Sequence, residues 1–315
     1  MAFSPSHREL SFMVLFAGSH ETHPVQKATE MFAEAVEKRT NGELTVKVYP
    51  ASTLYSQKET LEKTVRGILD MSMTTQGALD KYVRALAVVM LPFVYDSYDH
   101  AYRVLDGLFK EWVSPLLEKE KLVLLANWEW GFRNLTNNVR PVKTPDDMKG
   151  LKIRVPPEIQ LRATMEASGA TVIEIDPSEL YTALKEGRVV GQENPLAFIY
   201  HFKLYNVQKY LSLTRHVYNS MVHMMSLKTW EKLTPDQQQI ITEESKKAGD
   251  FFRKAIQDEE VDLLRKLKEQ GMEIISNPDI AAFRAAMGPA YKRITEYAGE
   301  ENVKRFLEIV ETARR

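Results

Sequence analysis

From Leu10 the chain reads "LSFMVLFAG", an apolar block that predicts a strand, and between Pro24 and Arg39 the apolar Val25, Ala28, Phe32, Ala35 and Val36 fall near helical spacing. A turn at Asn41-Gly42 leads into "ELTVKVYP", which alternates apolar and polar positions as a half-buried strand does. This is a βαβ opening. A helix over about Gln57 to Arg66, stopped by Gly67, then feeds "ILDMSM" into a third strand whose end, "TTQGAL", reads as a loop. The stretches "LEKTVRGILDMSM" from Leu61 and "YTALKEGRVVGQE" from Tyr181 both run helix, glycine, short apolar strand, polar loop. One supersecondary unit thus recurs after about 120 residues, which predicts two similar α/β lobes.

Between the two echoes, "LVLLANWEWGFRNLTNN" has the pattern of one long strand, apolar from Leu122 to Ala126 and then alternating. Period 2 puts Trp128, Trp130 and Phe132 on one face and Glu129, Gly131 and Arg133 on the other, and the change of character midway suggests a crossing from one lobe to the next. After a proline-punctuated link, "LKIRVP" predicts a strand, Glu158 to Ser168 a helix, "TVIEID" a strand, and Glu179 to Lys185 a helix capped at Ser178. The segment from "QENPLAF" to "HMMSL" reads as a short helix and strands that return to the first lobe. "TPDQ" at Thr234 then has the signature of a capped helix start, and the helical pattern continues to Gly271. About 36 residues at 1.5 Å each make roughly 55 Å of helix, long enough to brace two lobes. The last forty residues read as two amphipathic helices.

At 315 residues, 44% of them hydrophobic, the chain has material for two domains with cores of their own. Its 42 basic and 43 acidic residues leave a formal charge of -1 with no basic stripe, which argues against nucleic acid as a partner. No run approaches the ~18 apolar residues of a membrane span. The absence of cysteine excludes disulfides, thiolate metal sites and a cysteine nucleophile. The opening "MAFSPSHRELSF" lacks a cationic start followed by an apolar stretch, which suits either a cytoplasmic protein or one whose signal peptide has been replaced.

"GLKIRVPPEIQ" carries the sharpest chemical question, because Arg154 sits near the end of an apolar strand that stops at two prolines. Arg133 lies 21 residues before it and Asn194, in "GQENP", 40 after it. If the three segments are neighbours, two guanidiniums and a carboxamide converge on one anion, with arginine supplying planar paired donors that match a carboxylate. The alternatives are surface ion pairs for the arginines and a turn role for Asn194 before Pro195. "GSHETHP" offers His20, Glu21 and His23 for proton transfer or metal binding, or as an ordinary loop before a helix. Trp128 and Trp130 suit either a sugar-stacking platform or a core. No phosphate-cradling glycine loop, nucleophile elbow or zinc-protease motif is present, so catalysis has no carrier, and neither cofactor nor metal is expected.

At "HPVQKATEMFAEAVEKRTNGELTVKVYPAS", "LPFVYDSYDHAYRVLDG", "GFRNLTNNVRPVKTPDDMKGLKIRVP", "ELYTALKEGRVVGQENP" and "KLYNVQKYLSLTRHVY" the sequence resembles the solute-binding proteins of tripartite ATP-independent periplasmic (TRAP) transporters, related to dicarboxylate- and sialic-acid-binding receptors. The resemblance implies an α/β, bilobal periplasmic-binding-protein-like fold with a ligand cleft and a long bracing helix. Lobe I is then expected over 1–126 and 208–250, and lobe II over 127–207 and 251–315. It further implies that Arg154 makes the main salt bridge to a substrate carboxylate, that Arg133 and Asn194 complete the anion site, and that hinge closure excludes water. A signal peptide absent here, a periplasmic home, delivery to a membrane permease and action as a monomer without an enzymatic step belong to the same expectation. Where the family usually has aspartate this chain has Val190, which is expected to affect local packing more than ligand binding.

The loops that would select the rest of the ligand offer His20, Glu21, His23, Gln57, Gln76 and Asp176, a set of hydrogen-bonding groups that favours a polyhydroxylated acid such as a hexuronate or aldonate. A C4-dicarboxylate, or another monocarboxylate, is the alternative ligand; a second carboxylate would call on Lys58 or Lys81. Two other classes stand beside the receptor: a sensory-kinase input domain of the same fold, and an acid–base enzyme built on His20, Glu21 and His23.

Overall fold

The structure, a computed structural model, describes residues 7–14, 23–50 and 55–314. The chain divides into two compact units, the first from residues 1–78, 110–129 and 220–257 and the second from 79–109, 130–219 and 258–315.

The first unit holds strands β1 (Arg8–Val14), β2 (Leu44–Pro50), β3 (Met71–Thr75) and β4 (Leu122–Asn127). The second holds β5 (Gly131–Asn137), β6 (Lys152–Val155), β7 (Thr171–Glu174), β8 (Gly191–Asn194) and β9 (Tyr210–Asn219). Strand β10 (Met221–Ser226) returns to the first unit and β11 (Glu273–Ile275) belongs to the second.

The first sheet has the order β2-β1-β3-β10-β4 and the second β11-β9-β5-β8-β6-β7. In the first, β1 runs parallel to β2 and β3, and β10 runs antiparallel to β3 and β4. In the second, β6 runs parallel to β7 and β8, and β5 runs antiparallel to β8 and β9. Each sheet therefore sets three parallel strands, the earliest in the middle, beside one antiparallel strand, so the internal echo in the sequence is a repeat of topology. Both echoed glycines are left-handed, Gly67 at φ 68° and Gly187 at φ 72°, which a side chain resists. The acid between glycine and strand differs. Asp70 accepts from Ser11 N and Oγ at 2.9 Å each and from Thr229 Oγ1 at 2.7 Å. Val190 is held by its backbone, its N–H donating to Lys152 O at 2.9 Å and its carbonyl accepting from Asn138 N at 2.9 Å.

Local chemistry explains most boundaries. The helix Pro24–Arg39 starts with proline in its first turn, where no amide partner is lost, and His23 caps it by accepting from Val25 N at 3.3 Å. The helix Pro235–Glu269 starts at a capping box, with Gln237 N donating to Thr234 Oγ1 (3.2 Å) and Thr234 N to Gln237 Oε1 (3.1 Å). Three expectations need correction. The long strand is two strands in different sheets, interrupted at Trp128–Trp130; Ser178 lies inside a short turn, Pro177–Glu179, capped by Asp176, which accepts from Ser178 N at 3.0 Å, and the helix that follows, Leu180–Lys185, has no side-chain cap; and the C-terminal segment forms three helices, Ile280–Ala286, Gly288–Ala298 and Glu300–Ala313.

The first core centres on Phe12, which stacks on His223 at 4.2 Å and meets Phe32 and Trp128 edge-on. Trp128 is fully buried there, so the core reading of this residue holds. In the second unit Tyr95, Tyr98, Phe132 and Tyr218 pack edge to face, with ring centroids 5.0–6.0 Å apart. Every residue of β5 is buried, polar and apolar alike, because the sheet is covered on both faces and alternation no longer separates inside from outside.

Candidate ligand-binding site

Strand β6 ends because Pro156 has no N–H to continue the ladder. Of its two cations Lys152 is exposed, whereas Arg154, two residues nearer the carboxyl end, is 2% exposed. Arg154 Nε donates to Ile175 O at 2.8 Å, just past the end of β7, while its Nη2 is buried without a hydrogen-bond partner among the described residues. Burial pulls the guanidinium down to about 10, against the attraction of Glu193 and with the repulsion of Arg133. A desolvated cation with an unfilled donor has the chemistry to take an anionic partner.

Pairing registers show what surrounds it. Arg154 is paired with Gln192, Gln192 with Thr136, and Asn194 with Asn134, so these side chains share one face of the sheet. Asn194 Nδ2 donates to Gln192 Oε1 (2.6 Å), Gln192 Nε2 to Thr136 Oγ1 (2.9 Å) and Thr136 Oγ1 to Gln208 Oε1 (2.7 Å), which fixes the orientation of the Asn194 amide. Glu193 points to the opposite face. There it accepts from Arg133 Nε at 2.5 Å and Nη2 at 2.8 Å and faces His216 Nε2 at 3.2 Å, with Thr214 Oγ1 at 2.8 Å from the other ring nitrogen. Burial pushes the Glu193 carboxyl up, but Arg133 and His216 outweigh it and hold the group below its ordinary range.

Both networks reach the same edge. Because β6, β7 and β8 are parallel and β5 is antiparallel to β8 and β9, the carboxyl ends of β6, β7, β8 and β9 and the start of β5 lie together. Ligands of open α/β sheets bind outside such carboxyl ends. Arg154, Arg133 and Asn194 are therefore brought to one edge, and Asp176, half-buried just beyond β7, lies there as a helix cap. In the first unit Gln76 follows β3; its Oε1 accepts from Ser220 Oγ at 2.6 Å, and its buried Nε2 has no partner among the described residues. His23 is buried as a helix cap against Phe252. His20 and Glu21 lie outside the described residues. Sequence reasoning missed Gln192, Glu193 and His216; reading "VVGQENP" as a strand with period 2 would have separated Gln192 and Asn194 from Glu193.

A further buried acid, Asp80, accepts from Gln160 Nε2 at 3.1 Å. Burial, reinforced by Glu158, pushes its carboxyl up to about 7. A raised folded-state value means that the contribution to stability is full below pH ~4, the unfolded value, and is lost as pH rises through about 7. Asp80→Asn is therefore expected to flatten the decline in stability between pH 4 and 8 by on the order of 2 kcal/mol, read as the urea midpoint against pH. An unchanged pH profile would place the Asp80 carboxylate in a hydrated setting.

Residues 17–297 match the family model described as bacterial extracellular solute-binding protein, family 7. The chain belongs to that family, the TRAP solute-binding proteins. It is 31% identical over 287 residues to the 2,3-diketo-L-gulonate-binding periplasmic protein of Escherichia coli K12, covering 91% of this chain and 88% of the relative. The crystal structure of a sugar acid binding protein from Advenella mimigardefordensis in complex with galactonate superposes with a TM-score of 0.91 at 30% identity, over 98% of this chain and 100% of that one. A TRAP periplasmic solute binding protein from Sulfitobacter sp. NAS-14.1 with bound β-D-galacturonate gives 0.90 at 30% identity, over 97% and 100%.

As a TRAP solute-binding protein the chain carries solute and does not transform it, in keeping with an edge that offers guanidiniums and amides and no nucleophile. Its two α/β units are those of the bilobal periplasmic-binding fold. Among the described residues no helix is long and apolar enough to cross a membrane, and no group of histidine and acidic side chains is arranged to hold a metal ion.

Proposed function

We propose that this protein is a periplasmic receptor that captures a sugar acid, closes about its hinge and hands the ligand to the membrane permease of a TRAP transporter. The observation that carries this reading is the buried, unfilled Nη2 of Arg154 at the carboxyl end of β6. The ligand carboxylate supplies the missing acceptor and the counter-charge. Asn194, its amide held by Gln192, and Arg133, braced by Glu193, support the same anion. The ligands named for the three relatives described above, 2,3-diketo-L-gulonate, galactonate and galacturonate, are hydroxylated carboxylic acids.

A dicarboxylate fits less well, since neither lysine available for a second carboxylate is held in a desolvated position. Lys58 pairs with Glu62 at 3.7 Å on the surface, and Lys81 is exposed. The test is a thermal shift with D-galactonate, D-galacturonate and succinate. At a hundred times Kd a ligand of the folded state adds ~2.7 kcal/mol, which for a chain of this size is a rise of ~5 °C. Galactonate or galacturonate is expected to give it and succinate is not; a shift with succinate alone would overturn the sugar-acid reading.

A further inference from the structure

Asn219 is the last residue of β9 and is 1% exposed, yet neither its Oδ1 nor its Nδ2 has a hydrogen-bond partner among the described residues. Buried amides are nearly always satisfied, because leaving one polar group unpaired costs about 1–3 kcal/mol. Here both ends of one side chain are open. An asparagine in that state offers a donor and an acceptor side by side, which is what a hydroxyl needs if it is to give and receive a hydrogen bond at once.

Its place in the sheet says where the partner comes from. Asn219 is paired with Gly131 and Val217 with Arg133, whereas β8 ends at Asn194, which is paired with Asn134. The first three residues of β5 and the last of β9 thus overhang the end of β8 by about 10 Å, at ~3.3 Å per residue. Gly131 makes this corner possible: its φ is 116°, and a Cβ on it would stand 3.3 Å from Pro195 and 3.4 Å from the Tyr98 hydroxyl. The overhang packs against the residue that follows Asn194, at the edge where Arg154 presents its unfilled donor.

We infer that Asn219 is a specificity-determining residue that binds a hydroxyl of the ligand, reading the acid as a hydroxylated one while Arg154 holds its carboxylate. This rests on the receptor reading proposed above. A site built to hydrogen-bond a hydroxyl discriminates strongly against the analogue that lacks it, because the buried polar group is then left unpaired. Asn219 therefore distinguishes sugar acids from plain aliphatic acids.

The test compares galactonate with hexanoate, which has the same number of carbons and no hydroxyls, by titration calorimetry on wild type, Asn219→Leu and Arg154→Ala. Leucine keeps the branching and the number of heavy atoms, though it is bulkier, and removes both polar atoms. Galactonate affinity is expected to fall about tenfold or more in Asn219→Leu, with hexanoate no weaker than in wild type and the ligand-free melting temperature not lowered. Arg154→Ala is expected to lose both acids. Should leucine prevent folding, Asn219→Ala reads the same comparison. Unchanged galactonate affinity, or equal losses for both acids, would overturn the assignment and leave the receptor reading intact; a wild-type protein that prefers hexanoate would overturn both.

Discussion

Arg154→Ala is expected to lower sugar-acid affinity on the order of 1000-fold, about 4 kcal/mol, the scale for truncating one partner of a buried, hydrogen-bonded charge pair. The same change is expected to leave ligand-free stability within about 1 kcal/mol of wild type. The two effects separate because the guanidinium is buried with an unfilled Nη2 and an acidity raised by desolvation, so the ligand-free protein already bears the cost of an incompletely paired charge. Removing that charge relieves the folded state while the lost packing offsets the gain. Calorimetric titration of galactonate together with urea unfolding of the free protein reads both numbers. Affinity retained within threefold would show that the carboxylate is held elsewhere, and a large loss of stability would make Arg154 a structural residue.

The second large effect falls on stability. Glu193→Gln takes the counter-charge from Arg133, which is 2% exposed and donates its Nε and Nη2 to the carboxylate and backbone carbonyl of Glu193. An uncompensated buried cation costs about 3–5 kcal/mol, so the unfolding free energy measured with urea is expected to drop by that amount. The double change Arg133→Met with Glu193→Leu is expected to recover most of the loss, since a buried ion pair replaced by apolar groups of similar size is often neutral. The double variant also separates two roles of Arg133. Weak galactonate binding in a well-folded double variant would make Arg133 a ligand group, and full binding would make it a brace.

What the sequence made legible was whatever is governed locally. The helix Pro24–Arg39 was predicted to the residue, because a proline start and the Thr40-Asn41-Gly42 stop are short-range stereochemistry. The capping box at Thr234 was equally plain. Repeated glycines at 67 and 187 led to the repeated topology, since a left-handed residue between helix and strand is a property of the turn itself. The break at Trp128–Trp130 was hidden because "LANWEWGFRN" keeps its alternation through a change of sheet. At the site, Arg154 could be singled out as a cation near a strand end. The pairing of Glu193 with Arg133 and His216 could not, because it depends on the register of β5 with β8 and on an irregularity between Arg133 and Leu135 in the pairing with β9. Asn219 looks like any polar residue closing a strand, because only the fold buries its amide with neither end paired among the described residues.

The order of strands in the first sheet bears on how the chain is made. Strand β10 lies between β3 and β4, with Met221 paired to Thr75, so the middle of that sheet is filled by residues synthesised about 146 positions after the strand they join. Closing so long a loop is slow, and contacts of this range delay folding. A nascent chain halfway through translation has no means of completing either half of the molecule. The first sheet closes only once residues 221–226 have been made, so its two central neighbours, β3 and β10, meet late in synthesis.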